Sequence, residues 1–176
     1  IRGGYYASGQ ACISVQRVIV VEEVREAFLA ELADRVQHVV VGDPRSPDTR
    51  VAALIDARST ARVQSWVSQA VEAGAHLAHG GAVDDGLLEP TIVVDVPDGQ
   101  AAWDEEIFGP VVAVRSVPTL TEAFALVNAS RYGLHASVFT ASLATAFDAI
   151  DSIEAGGVVV NDVPGFRSDV MPYGGV

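Results

Sequence analysis

Short runs of β-branched hydrophobic residues alternate along this chain with segments in which hydrophobic residues recur every three or four positions. The first run, RVIVV at Arg17–Val21, predicts a strand. Behind it, hydrophobic residues from Val24 to Val36 recur at helical spacing. The alternation predicts helices at 22–36, 56–74, 119–130 and 142–156, a strand-like end at 39–41, and further strands at 75–81, 89–96, 111–117, 135–140 and 157–161.

This order of elements predicts an α/β fold. Strand, helix and next strand form a βαβ unit when the strands run parallel, and such units place helices on both faces of one sheet. The predicted strands are near-continuous valine and isoleucine runs, as expected for parallel strands covered on both sides. We therefore expect a three-layer α/β/α domain with a mainly parallel sheet, which binds ligands at the carboxyl ends of its strands.

Composition and charge restrict the class of protein. The chain has 176 residues, which suits one domain, and 49% of them are hydrophobic against 19% charged, as in a globular protein. The net charge of −12 argues against nucleic acid and anionic membrane as partners, because both need a basic face. No apolar run reaches the roughly 18 residues of a membrane span, and no signal peptide is visible. The single cysteine cannot form an internal disulfide, which favours a cytoplasmic protein.

That cysteine, Cys12, lies in the stretch ASGQAC and is the first candidate for chemistry. A thiolate is a strong nucleophile, and it forms most readily where backbone N–H groups point at the sulfur. Gly9 allows a sharp turn before the thiol, and the small side chains of Ser8 and Ala11 leave room for a substrate carbonyl. The alternative is a small buried hydrophobe, which is the common environment of a free cysteine.

Two loops supply further candidates. DEEIFGPV at Asp104–Val111 has three adjacent carboxylates before a Gly-Pro turn. One interpretation is that a carboxylate of this loop accepts hydrogen bonds from ligand hydroxyls, such as those of a ribose. The alternative is that the loop is a solvated acidic segment. After the last predicted strand, Asn161 leads into a loop with Phe166 and Arg167. An aromatic ring and a cation there suit a pocket, although an ordinary surface loop would have the same composition.

Metal and phosphate sites are not indicated. Of the four histidines, His76 and His79 lie three residues apart, but no carboxylate or thiol stands beside them. Trp66 suits the core face of its predicted helix better than a ligand site. Neither the glycine-rich dinucleotide fingerprint nor the P-loop pattern occurs, so this chain has no phosphate-binding loop of its own. We therefore expect no metal ligands.

Taken in order, these stretches resemble the aldehyde dehydrogenase superfamily over nearly the whole chain. GQACISVQRV is similar to the family's nucleophile motif, and GDPRSPDT to its loop after the first catalytic-domain helix. EPTIVVDV, EEIFGPVVAV, YGLHASVFT, GGVVVND and MPYGGV then follow in the family's order. EEIFGPV is the most specific of these motifs, and together with GQAC it favours a nucleophilic cysteine over a buried one.

The resemblance implies a role for each candidate residue. Cys12 would attack an aldehyde carbonyl to give a thiohemiacetal, hydride would pass to NAD or NADP, and water would hydrolyse the resulting thioester. The Cys12 backbone N–H would form part of the oxyanion site. Glu106 would bind the hydroxyls of the nicotinamide ribose, and Phe108 would pack near the nicotinamide. The pocket for a small-molecule aldehyde would be bordered by Ala11, Ile13 and Phe166.

The resemblance also implies parts that residues 1–176 do not contain. In the family, a dinucleotide-binding domain, the asparagine of the oxyanion hole and the water-activating glutamate precede this segment, and a C-terminal tail that joins subunits follows it. We therefore expect 1–176 to be a single thiol-bearing catalytic domain, inactive by itself, of an enzyme that forms a homo-oligomer, either a dimer or a tetramer. Ala7 stands where the family commonly has asparagine, which affects packing near the thiol. ISVQR and NDVP are similar to the branch that acts on small polar aldehydes and semialdehydes.

Two other classes of function stay open. A cysteine hydrolase would need an imidazole within hydrogen-bond reach of Cys12, and no histidine lies near it in the sequence. A non-enzymatic remnant would keep the fold without activity, whereas an adjoining nucleotide-binding half would favour the enzyme. The choice between NAD and NADP belongs to that half. If the enzyme assignment is right, Cys12 lies in a loop or at a helix N-terminus, close to Glu105–Pro110 or Asn161–Phe166.

Overall fold

Eight short strands and six helices make up the computed structural model, which describes all of residues 1–176. The strands are β1 (Arg17–Val21), β2 (His76–His79), β3 (Val83–Asp84), β4 (Leu87–Leu88), β5 (Thr91–Val94), β6 (Val111–Val117), β7 (His135–Val138) and β8 (Gly157–Val160). The helices are α1 (Arg2–Tyr5), α2 (Arg25–Val36), α3 (Ala57–Glu72), α4 (Ala101–Asp104), α5 (Leu120–Asn128) and α6 (Leu143–Ser152).

Four strands form the central sheet, in the order β1-β6-β5-β2. β6 runs parallel to both of its neighbours, with Arg17 of β1 opposite Ala113 and Thr91 of β5 opposite Val111. β2 is antiparallel to β5 and lies at one edge. The predicted mainly parallel sheet is therefore confirmed. β7 and β8 form a separate parallel pair rather than an extension of this sheet.

Alternate residues of the central strands face two different hydrophobic clusters. Val93 and Ala113 lie in one cluster with residues of α3 and α4. Ile92 and Val112 lie in the other cluster with residues of α1 and α2. Helices therefore cover both faces of the sheet, which is the predicted three-layer arrangement. All of β5 is buried, and this explains why its sequence shows no polar alternation.

Three helices begin at side chains that cap their first turn. Asp56 accepts a hydrogen bond from the backbone N–H of Ser59 at 2.7 Å, and Thr119 accepts one from Glu122 at 3.2 Å. Ser142 caps α6 in the same way. These positions match the starts predicted from the sequence, because a capping side chain is a local signal. None of the helices is both long and apolar enough to cross a bilayer.

Two local predictions were wrong. The helix expected from residue 22 begins at Arg25, because Glu22–Val24 form a tighter 3-10 turn with no capping side chain. The strand-like end at 39–41 is reduced to one isolated bridge between Val41 and Val51. The chain turns away there because Asp43 accepts hydrogen bonds from the backbone and the side chain of the nearby Arg45.

Two elements were not predicted at all. The β3–β4 hairpin is only two residues long on each side, which is too short for a periodic pattern. α4 is a single turn that buries Trp103 in the core. Asp104 ends this helix, so the acidic loop begins one residue later than the sequence indicated.

Candidate active site

Cys12 is exposed and lies in a turn between α1 and β1. The turn is closed by a 2.9 Å hydrogen bond from the backbone N–H of Ser14 to the carbonyl of Ala11. Within residues 1–176 the thiol is therefore not packed in the core, which disfavours the alternative of a buried structural cysteine. A thiol at this place can be reached by a substrate.

The backbone before the thiol is a left-handed turn that side chains hold in place. All three residues of Ala7–Gly9 have positive φ, between 49° and 72°. This region is unfavourable for residues with a Cβ atom. Ser8 Oγ accepts a hydrogen bond from the N–H of Ala52 at 2.9 Å, and Gln10 Oε1 accepts one from Ile55 at 2.9 Å. These two bonds support a backbone that is unfavourable by itself.

The acidic loop after α4 is fixed by side chains from two other elements. The side-chain amide of Gln16 donates to the Glu105 carbonyl and accepts from the Ile107 N–H at 2.9 Å. Arg62 on α3 donates to the Ile107 carbonyl at 2.8 Å. Because Gln16 belongs to the segment that follows the thiol, one short stretch of chain positions both the thiol and this loop.

The two adjacent glutamates of the loop have different surroundings. Glu105 forms an ion pair with Arg131 and accepts a hydrogen bond from the Tyr132 hydroxyl at 3.2 Å. Glu106 is half-buried and has neither a hydrogen bond nor an ion pair. Burial raises the pKa of the Glu106 carboxyl group above its ordinary value. An unpaired carboxylate with a perturbed pKa on an otherwise fixed loop is typical of a functional site.

Phe108 occupies a strained position on the same loop. Its φ is 46°, a value that phenylalanine rarely adopts. The next residue, Gly109, packs directly against Gly9, and this contact keeps the backbone in place. The Phe108 side chain is 38% exposed rather than packed into the core. A strained backbone that presents an aromatic ring to solvent supports the hypothesis of a ligand contact.

The loop after β8 meets the thiol segment from another side. Gly3 packs against Val163, and the Ile13 side chain approaches Gly165. Phe166 is 51% exposed. A cavity of about 430 Å³ lies beside it, lined by Phe166 together with Val158, Val159, Val160, Asn161, Asp162 and Met171. The cavity is open to solvent, and Cys12 does not line it.

Tyr173, which the sequence analysis did not single out, makes the direct contact with the thiol. Its hydroxyl oxygen lies 2.6 Å from Cys12 Sγ. The hydrogen bond with Cys12 and, to a smaller extent, burial raise the pKa of Tyr173. The only sequence signal for this contact was the tyrosine in the motif MPYGGV. Because 161 positions separate Tyr173 from Cys12, the sequence gives no indication that the two residues meet.

No histidine hydrogen-bonds Cys12. His135 contacts the ring of Tyr173, with 5.7 Å between the ring centroids, but its Nδ1 bonds the Pro164 carbonyl at 2.9 Å. This imidazole is therefore not placed as a base for the thiol, which disfavours the cysteine hydrolase. His76 and His79 lie on the edge strand, and no group of three or more potential ligands converges closely enough to hold a metal ion.

The structure brings the three predicted stretches together. The expectation that Cys12 lies in a loop is confirmed, and contacts of its own segment join it to both other loops. The predicted site residues are Ala11, Cys12 and Ile13 on the thiol segment, Glu106 and Phe108 on the acidic loop, and Phe166 on the loop after β8. What each of them does stays a prediction.

Comparison with known proteins gives this arrangement a context. The sequence profile described as the aldehyde dehydrogenase family matches residues 1–176. 3-Sulfolactaldehyde dehydrogenase from Priestia aryabhattai is 41% identical over 169 residues, which are 96% of this chain and 35% of that protein.

Solved structures show the same similarity. Aldehyde dehydrogenase 21 from Physcomitrella patens, in complex with the reaction product succinate, matches with a TM-score of 0.97 at 37% identity, over 99% of this chain and 36% of its own. Glyceraldehyde-3-phosphate dehydrogenase GapN from Methanocaldococcus jannaschii, complexed with NADP, matches with a TM-score of 0.94 at 32% identity. The match covers 99% of this chain and 38% of GapN. The chain thus spans little more than a third of the length of these relatives.

Proposed function

This chain belongs to the aldehyde dehydrogenase family, and we propose that it is the thiol-bearing catalytic domain of an enzyme that oxidises a small aldehyde to a carboxylic acid with NAD or NADP. The observation that carries the proposal is the meeting of an exposed Cys12, the only cysteine, with the acidic loop and the loop after β8. Because the chain spans about a third of its relatives, the activity of the whole protein belongs to the proposal.

Cys12 is the nucleophile of the proposed reaction. Its thiolate attacks the carbonyl carbon, a C–S bond forms, and the oxygen of the resulting thiohemiacetal is stabilised by the backbone N–H of Cys12. A hydride then leaves the same carbon with both electrons of the C–H bond, which oxidises the adduct to a thioester. Water cleaves the C–S bond, restores the thiol and releases the acid. NAD or NADP, when bound, accepts the hydride.

Glu106 and Phe108 fit the nicotinamide end of such a cofactor. Glu106 is the one carboxylate of the loop that no cation or hydroxyl of this chain occupies, so it is free to accept hydrogen bonds from ribose hydroxyls. Phe108 presents a ring against which a planar group can pack. Gln16 and Arg62 hold the backbone between them, which keeps both side chains in a constant orientation.

The proposed substrate is a small polar aldehyde that carries an acid group. Arg167 lies at the site, with its guanidinium 4.3 Å above the ring of Tyr173 and the side chain exposed. A guanidinium pairs well with a carboxylate or sulfonate. The similarity to a 3-sulfolactaldehyde dehydrogenase and to an enzyme whose product is succinate supports this class. With Arg167→Gln we expect a larger rise in KM for an aldehyde acid than for a neutral aldehyde of equal length, because only the acid loses an ionic partner.

Pre-steady-state formation of reduced cofactor in the protein that carries this chain tests the proposal. Cys12→Ala removes the covalent step, so we expect no burst of NAD(P)H. Cys12→Ser should lose nearly as much, because a hydroxyl near neutral pH is a far poorer nucleophile than a thiolate. Glu106→Gln misplaces the nicotinamide but keeps the thiol itself, and a displacement of about 1 Å costs roughly 100-fold in rate. Iodoacetamide should still label Cys12 in that variant.

Two outcomes would overturn these assignments separately. A burst of reduced cofactor from Cys12→Ala would show that the thiol is not the nucleophile. A normal hydride-transfer rate in Glu106→Gln would show that Glu106 does not bind the ribose. It would not affect the assignment of Cys12 as the nucleophile.

We further infer that residues 1–176 alone turn over aldehydes poorly, because the loss of one catalytic group typically costs two to four orders of magnitude. Turnover of the purified segment within the usual range of about 1–1000 per second would contradict this. The homo-oligomer and the cytoplasmic location stay predictions.

A further inference from the structure

We propose that Tyr173 is a positioning residue for Cys12: its phenol donates a hydrogen bond to the sulfur and favours the thiolate over the thiol. The inference rests on the proposed function, because only a nucleophilic Cys12 has a use for a stabilised thiolate. The contact that carries it is the 2.6 Å separation between the Tyr173 hydroxyl oxygen and Cys12 Sγ.

The ring of Tyr173 is held on two sides, so its hydroxyl is directed rather than free. The guanidinium of Arg167 stacks 4.3 Å above the ring and donates to the Met171 carbonyl at 2.9 Å. The imidazole of His135 meets the same ring edge-on, at an interplanar angle of 76°. His135 is itself fixed by its hydrogen bond to the Pro164 carbonyl. A donor that is already oriented loses little entropy when it binds the thiolate.

The direction of the hydrogen bond follows from the order in which the two groups ionise. The contact with Cys12 raises the pKa of Tyr173, so the phenol keeps its proton beside a thiolate. A thiolate has no proton to give, so the phenol must be the donor. The other titratable groups that face the pair are Arg167, Glu106 and His135. Arg167 favours negative charge there, and Glu106 opposes it.

The pH dependence of iodoacetamide alkylation tests the proposal on this chain. Cys12 is the only cysteine, so the label reports one site. Tyr173→Phe keeps the ring and removes the donor. We expect the midpoint of the rate profile to rise by about 0.5–1 pH unit, which slows alkylation near pH 7 by about 3- to 10-fold. Tyr6→Phe is the control, because the Tyr6 hydroxyl is exposed and makes no hydrogen bond.

A second measurement follows the same contact through the ionisation of the Tyr173 phenol. In Cys12→Ala the phenol of Tyr173 loses its partner, so its ionisation, followed by the ultraviolet absorbance of phenolate, should move to lower pH. The other three tyrosines, Tyr5, Tyr6 and Tyr132, are present in the parent and in Cys12→Ala, so the difference between the two titration curves reports Tyr173.

Failure of this inference differs from failure of the proposed function. An alkylation midpoint that is equal in Tyr173→Phe and Tyr6→Phe would overturn the inference, even if the enzyme oxidises aldehydes through Cys12. A burst of reduced cofactor from Cys12→Ala would overturn the proposed function, whatever the phenol does.

Discussion

Gly9 and Gly109 lie backbone against backbone. A Cβ atom on Gly9 would overlap the carbonyl oxygen of Gly109, and the φ of Gly9 is 72°. Gly9 stands three residues before Cys12, and Gly109 stands three residues after Glu106. The spacing between the segment with the proposed nucleophile and the loop with the proposed ribose contact is therefore set by a position that only glycine can occupy.

Gly9→Ala should lower the free energy of unfolding by about 2–5 kcal/mol. The left-handed backbone costs a residue with a Cβ about 1–2 kcal/mol, and the overlap with a backbone atom adds about 1–3 kcal/mol because no rotamer can relieve it. Urea unfolding measures the change. Gly99→Ala is the matched control, with a φ of 81° and no atom within 4 Å of the added carbon. Equal losses in the two variants would mean that the Gly9–Gly109 contact constrains nothing.

Ala7→Asn should raise the free energy of unfolding by about 0.5–1 kcal/mol. Ala7 is exposed and has a φ of 49°, which is costly for alanine and much better tolerated by asparagine. Thermal or urea unfolding checks the gain. Ala53→Asn is the control, because Ala53 is also exposed in a loop but has no positive φ. A gain of the same size at Ala53 would show that backbone strain at Ala7 is not the cause.

Gln16→Leu should lower the free energy of unfolding by about 1–3 kcal/mol, because it leaves the Glu105 carbonyl and the buried Ile107 without their partner. Urea unfolding measures this loss, and cofactor binding in the whole protein should weaken with it. Gln10→Leu also removes one accepted hydrogen bond, but the group it frees belongs to the exposed Ile55 and can bind water instead. We expect that control to lose less than about 1 kcal/mol. A larger loss of stability in Gln10→Leu than in Gln16→Leu would show that the Gln16 hydrogen bonds do not fix the acidic loop.

Glu106→Gln should be at least as stable as the parent at neutral pH. Burial raises the pKa of Glu106 in the folded state above its unfolded value, so the charged form opposes folding and this cost disappears as the pH falls through the raised pKa. The stability difference should therefore be constant well above the raised pKa and shrink as the pH falls towards the ordinary carboxyl pKa of about 4.3. Urea unfolding across this range measures it.

Glu106→Gln should stabilise the fold but weaken the binding of the cofactor. A carboxylate accepts ribose hydrogen bonds better than the neutral acid, so affinity for NAD should fall in the parent as the pH drops, and that pH dependence should vanish in Glu106→Gln. A variant that is less stable at neutral pH, or that keeps the full pH dependence of binding, would show that Glu106 is a structural residue.

The sequence by itself determined the class of fold and the stretches that form the candidate site. Hydrophobic periodicity and capping residues act over a few positions, so β1, β6 and the starts of α3 and α5 follow directly from local composition. The motifs around Cys12 and Glu106 are also short, contiguous runs, which is why both residues were identified before any contact was known. The errors lie where periodicity does not distinguish related structures: Glu22–Val24 form a 3-10 turn that continues into a helix, and Val41 makes a single bridge instead of a strand ladder.

Only the tertiary structure decided how these stretches meet. Gln16 reaches Glu105 across 89 positions, and Tyr173 reaches Cys12 across 161. Neither pairing has a periodic or compositional signature, because each depends on where the sheet and its loops place two distant segments. The difference between Glu105, paired with Arg131, and Glu106, half-buried and unpaired, likewise appears only when the chain is folded. The sequence does not distinguish two adjacent glutamates, because the difference between them comes from their solvation and their partners in the folded chain.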